Sequence, residues 1–68
     1  MKIGTRVRIK DHGGMPEFRG KRGVIIGHEK DGRIVMNRVH LDEPVTIPGV
    51  GLVTDDLWAN EYLSRRGS

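Results

Sequence analysis

Three features predict an all-β chain folded as a small binding barrel. Ten glycines and three prolines stand among 68 residues, a density of turn formers that suits short strands rather than helices. Residues 3–10 alternate, with Ile3, Thr5, Val7 and Ile9 on one face and Arg6, Arg8 and Lys10 on the other. Period two marks a strand with one dry side and one wet side. The third feature is Phe18-Arg19-Gly20-Lys21-Arg22-Gly23-Val24-Ile25-Ile26-Gly27, a basic, glycine-punctuated turn that enters an apolar run. Val24, Ile25 and Ile26 are β-branched and fit a pleated strand better than a helix.

The rest of the chain divides at its turn signals. Residues 11–22 read as a long loop, because His12-Gly13-Gly14-Met15-Pro16 is excluded from a helix interior. Loops of that length in a compact domain carry function or move. Phe18 is expected to pin this one to the core. Residues 23–28 form the second strand, 29–32 a turn in which Asp31-Gly32 is the hairpin signal, and 33–41 the third strand. Val35, Val39 and Leu41 share one face of that strand with Asn37. Asp42-Glu43-Pro44 is expected to break it. Residues 45–54 read as an arm folded at Pro48-Gly49, with proline second and glycine third in the turn. Its apolar residues Val45, Ile47, Val50, Leu52 and Val53 either close over the core or meet another chain. Asp55-Asp56-Leu57-Trp58 predicts one helical turn with its acids at the start. Residues 61–63 make a short last strand. The chain is therefore expected to be a single domain over 1–63 with a frayed tail over 64–68.

Net charge is +3, and it is unevenly placed. Residues 1–40 hold ten Lys/Arg against four Asp/Glu, whereas 41–68 hold two against five. The first half can attract phosphate and the second cannot. The absence of cysteine excludes disulfides and thiolate metal sites and fits a reducing cytoplasm. No apolar run approaches the roughly 18 residues of a membrane span. The start Met1-Lys2-Ile3-Gly4 lacks a signal peptide's apolar stretch, so a soluble cytoplasmic protein is expected, without a membrane partner.

Little in the chain suits catalysis. The serines are Ser64 and Ser68, in the expected tail, where nothing preorganises a nucleophile. His12, His28 and His40 are spaced like no short metal-ligand motif. Asp42/Glu43 and Asp55/Asp56 suit turn and cap duties better than acid–base work. A non-catalytic module without metal or cofactor is the expectation. Anion binding has better support. Arg6, Arg8, Lys10, Arg19, Lys21 and Arg22, with N–H groups freed by the glycines, suit phosphate. Val45, Ile47, Val50, Leu52 and Trp58 are the candidates for docking a protein partner or a second copy. Trp58 and Tyr62 either stack on a ligand or, for Trp58, plug the end of the barrel.

Gly4-Thr5-Arg6-Val7-Arg8-Ile9, a loop, then Phe18-Arg19-Gly20-Lys21-Arg22-Gly23-Val24-Ile25 resembles the KOW motif of ribosomal proteins and transcription elongation factors. The resemblance covers residues 4–40 and rests on the glycine spacing and the Gly-Lys-Arg-Gly turn. It implies a Src-homology-3-like barrel of five short, strongly bent antiparallel strands whose loops touch RNA or a protein. The whole chain is also similar to small barrels that serve as accessory subunits of electron-transfer complexes. Those share the opening strand, the long loop, and a one-turn helix before a short final strand. The plasmid-borne dihydrofolate reductases have a similar barrel, but their Val-Gln-Ile-Tyr stretch has no counterpart here, which removes the reason to expect reductase activity. Three roles stand open: a nucleic-acid or ribonucleoprotein binder acting through the basic turn; a docking or accessory subunit acting through the apolar arm 45–54 and the acidic Asp55/Asp56 end, with a protein partner or by self-association; and, least favoured, an enzyme active only as a symmetric oligomer.

Overall fold

The computed structural model describes residues 1–10 and 15–65. Its strands are β1 (Arg6–Ile9), β2 (Arg22–Asp31), β3 (Ile34–Ile47), β4 (Gly51–Trp58) and β5 (Leu63–Arg65). Two single 3-10 turns, Pro16–Phe18 and Asn60–Tyr62, are the helical pieces among the described residues. All five strands pair antiparallel in one sheet of order β4-β3-β2-β1-β5. The chain is all-β and fits a small Src-homology-3-like plan.

The sheet is bent, and the core shows how. Val7 and Ile9 of β1, Ile25 of β2, Val39 and Leu41 of β3, Trp58 of β4 and Leu63 of β5 all belong to one buried cluster. Edge strands β4 and β5 can share a core only if the sheet curls. Two irregularities allow the curl. The β2–β3 register shifts between Ile25 and Gly27, leaving Ile26 as an extra residue that faces solvent. The β3–β4 register shifts between His40 and Val45, around Pro44, which has no N–H to give the ladder. The expected strand break at Asp42-Glu43-Pro44 is therefore a bend within one 14-residue strand.

Phe18 is fully buried and meets Trp58 edge-to-face, with ring centroids 5.0 Å apart and an interplanar angle of 74°. Such a pair adds about 1 kcal/mol beyond the area it buries. Asn37 is the buried polar residue of the core. Its Nδ2 donates to the Trp58 carbonyl (3.0 Å) and to Asn60 Oδ1 (2.7 Å), tying β3 to the end of β4 and to the second 3-10 turn.

Several expectations move. Ile3 does not share the dry face: β1 begins at Arg6, and Ile3 is 64% exposed. The β2–β3 turn narrows to Gly32-Arg33, flanked by the Asp31–Ile34 pair, so the Asp-Gly signal marked the hairpin one residue early. Asp55-Asp56-Leu57-Trp58 is strand rather than helical turn, with Asp55 opposite His40 and Asp56 opposite Val39. A ladder with β3 satisfies more backbone groups than one isolated turn, and strand direction carries Trp58 onto Phe18. The helical turn near the C-terminus lies just beyond, at Asn60–Tyr62. Ser64 and Arg65, read as tail, pair with Arg8 and Val7 as part of β5. The fold at Pro48-Gly49 is as expected: Gly49 has φ +81° and the Val50 N–H donates to the Ile47 carbonyl (3.0 Å).

Candidate nucleic-acid interface

The basic turn is held by its backbone. Phe18 fixes its start in the core. The Arg19 N–H donates to the Pro16 carbonyl (3.1 Å) and the Lys21 N–H to the Phe18 carbonyl (3.0 Å). Gly20, at φ +76°, lets the chain reverse, and its N–H donates to the Ile9 carbonyl (2.9 Å). Ile9 returns the bond to the Lys21 carbonyl (2.8 Å). These donors are committed, which corrects the expectation of free glycine N–H groups facing an anion. What the turn leaves exposed is the side chains of Arg19, Lys21 and Arg22.

Gly23 has a different task from Gly20. Its φ is ordinary, but a Cβ there would press on the His40 carbonyl oxygen and lie 2.7 Å from Val39 Cγ1. The glycine permits β2 and β3 to approach closely directly after the turn.

The pairing register sets the side chains. Arg8 stands opposite Arg22 across β1–β2 and opposite Ser64 across β1–β5. Arg8 and Arg22 are both exposed, and directly opposed residues have Cβ atoms about 5 Å apart. Lys10, two residues further on the same face of the chain, and Lys21, at the turn, are exposed as well. Among the described residues, Arg8, Lys10, Lys21 and Arg22 have no carboxylate within ion-pair distance. Arg6 differs: its guanidinium bridges Asp42 at 3.0 Å. Arg19 is exposed beside the turn.

Carboxylates bound this cationic group on one side. An open cleft of about 280 Å³ is lined by Gly20, Lys21 and Arg22 and, from β3, by Asp42 and Glu43. Further along β3, Arg38 is gripped by Glu29, with its Nε 2.6 Å from Glu29 Oε2, and lies 3.7 Å from Asp55. The hydrogen bond to Glu29 raises the Arg38 pKa above its ordinary value, against a smaller desolvation effect, with help from the charges of Glu29, Asp55 and Asp56. Sequence reading missed both clusters. Asp42 and Asp55 reach their arginines through long-range register, and no local spacing announces that.

The expected docking residues separate into two groups. Val45, Ile47 and Trp58 are core residues and present nothing to a partner. Val50 and Leu52, at 73% and 69% exposure, remain outside at the tip of the β3–β4 arm. The arm therefore both closes over the core and leaves an apolar tip.

The paired acids do not act as turns or caps: Asp42 and Glu43 lie within β3, and Asp55 and Asp56 within β4. His12 lies outside the described residues. His28 Nε2 donates to the Met1 carbonyl, and His40 is exposed between Val24 and Asp55. Among the described residues no three His, Asp or Glu side chains converge as a metal site, and no helix is long and apolar enough to cross a membrane. No protein-family model, curated protein or solved structure matches the chain.

Proposed function

We propose that this protein is a non-catalytic binding module that contacts nucleic acid, free or in a ribonucleoprotein, through the cationic face of β1 and β2. The observation that carries this reading is the Arg8–Arg22 pair. Two like charges directly opposed in a ladder weaken it, and neither arginine has a carboxylate partner among the described residues. A phosphate between them removes the repulsion and supplies the missing acceptors. Lys10 and Lys21 extend the same positive surface, and the resemblance of residues 4–40 to the KOW motif points the same way.

The test is a titration of fluorescently labelled RNA and DNA at two salt concentrations, with the wild type and an Arg8→Glu/Arg22→Glu variant. Binding that tightens at low salt and is lost in the variant is the expected result. Equal binding by wild type and variant, or none by either, removes the reading.

The exposed tip at Val50 and Leu52 favours a second reading, an accessory subunit docking to a protein or a second copy. Here Val50→Asp abolishes a complex seen by mass in solution or by pull-down. A wild-type protein that stays monomeric and captures nothing counts against it.

A further inference from the structure

Resting on the nucleic-acid reading above, we infer that the ligand is a duplex, gripped by its phosphates and not read by its bases. The chain has three aromatic residues, Phe18, Trp58 and Tyr62, and all lie among the described residues. Phe18 is fully buried, Trp58 is 4% exposed, and Tyr62 is half-buried against the core. Proteins that hold single strands stack bases on exposed aromatic rings. Phe18 and Trp58 are committed to the interior, and Tyr62 packs against it. Sequence-specific recognition of unpaired RNA relies on the same stacking.

What the surface does present is charge. Arg8, Lys10, Lys21 and Arg22 lie on and beside one two-stranded ladder. Residues two apart on a strand, such as Arg8 and Lys10, are separated by about 6.6 Å, and neighbouring strands by about 4.8 Å. That spacing suits adjacent phosphates on a rigid backbone. A duplex holds its bases inside and displays such a backbone continuously, so a site without an exposed Phe or Trp ring loses nothing by meeting it. The carboxylates of Asp42 and Glu43 close the far wall of the cleft beside Lys21 and Arg22. They repel phosphate and confine the contact to a short strip.

A short strip fixes the salt response. Four neutralised phosphates at a slope of about −0.9 each give a log–log slope of about −3.6, or about a 150-fold loss of affinity from roughly 50 to 200 mM salt. The experiment is fluorescence anisotropy with the full chain and four probes: a DNA duplex, an RNA duplex of the same sequence, and one single strand of each. Probes of about 12 base pairs, at 3.4 Å per step, exceed the 31 Å long axis of the molecule. The expected result is at least tenfold tighter binding to one or both duplexes than to either single strand, with the slope given. Which duplex binds tells whether the backbone is that of DNA or RNA. A single strand that binds as tightly as the duplexes overturns the inference and leaves the nucleic-acid reading standing. No binding to any probe overturns both. The Arg8→Gln/Arg22→Gln variant, its fold checked by the fluorescence of buried Trp58, should reduce the duplex slope by about 2; an unchanged slope in the folded variant counts against this strip as the contact.

Discussion

The two sides of this sheet treat their arginines in opposite ways. On the β2–β3–β4 side, Arg38 lies between Glu29 and Asp55, so three strands share one ion cluster. On the β5–β1–β2 side, Arg8 faces Arg22 and Ser64, with no carboxylate partner among the described residues. Arg6 stands at the border and bridges to Asp42. The first arrangement is what folding alone would favour, although exposed pairs add little. The second contributes nothing to the fold and weakens the ladder slightly. Under the nucleic-acid reading proposed above, a bound phosphate offsets that repulsion.

This contrast can be broken at several depths. Phe18 anchors the basic turn, and Phe18→Ala should cost the most, about 4 kcal/mol from lost burial and the cavity left behind. In a chain this small that is a large part of the total, and a urea melt should show it. Gly23→Ala should cost about 3 kcal/mol, because the new methyl meets the His40 carbonyl and cannot be accommodated unless β2 parts from β3. A midpoint equal to wild type would show that the strands have slack there. On the opposite side, Asn37→Ala should cost about 2 kcal/mol, since the Trp58 carbonyl loses its buried donor.

Smaller effects sharpen the comparison further. Arg22→Gln should raise stability by about 0.5 kcal/mol at low salt by relieving the like-charge pair, and the gain should fade as salt rises. Arg38→Gln should lower stability by a small, salt-dependent amount, because it breaks the Glu29 and Asp55 contacts. Equal shifts in both variants would mean that the two sides do not differ. Asp42→Asn releases Arg6 from its bridge and removes a carboxylate from the cleft wall. Under the nucleic-acid reading it should tighten binding several-fold, the opposite sign to any change at Arg8 or Arg22.

Local chemistry announced part of this architecture in advance. The alternation at Val7 and Ile9, the β-branched run at Val24 and Ile25, the plug at Phe18 and the reversal at Pro48-Gly49 each depend on neighbours in sequence, and each stands in the structure. The reading failed where a local signal competed with a distant partner. Asp55-Asp56 has the pattern of a helix start, yet β3 recruits it as a strand. Asp42-Glu43-Pro44 has the pattern of a break, yet the strand bends and continues. The glycines of the basic turn promised free N–H groups, and Ile9 took the one on Gly20.

Taken by itself, the sequence determined that this chain is β-rich and that its cations gather in the first half. These follow from residue type, periodicity and turn chemistry, which act over a few residues. Only the tertiary structure decided which cations keep a carboxylate and which face each other, because strand register brings together residues such as Arg6 and Asp42, 36 positions apart. It also decided that the three aromatic rings are fully or partly withdrawn into the core, since burying them is among the largest apolar gains open to so small a protein.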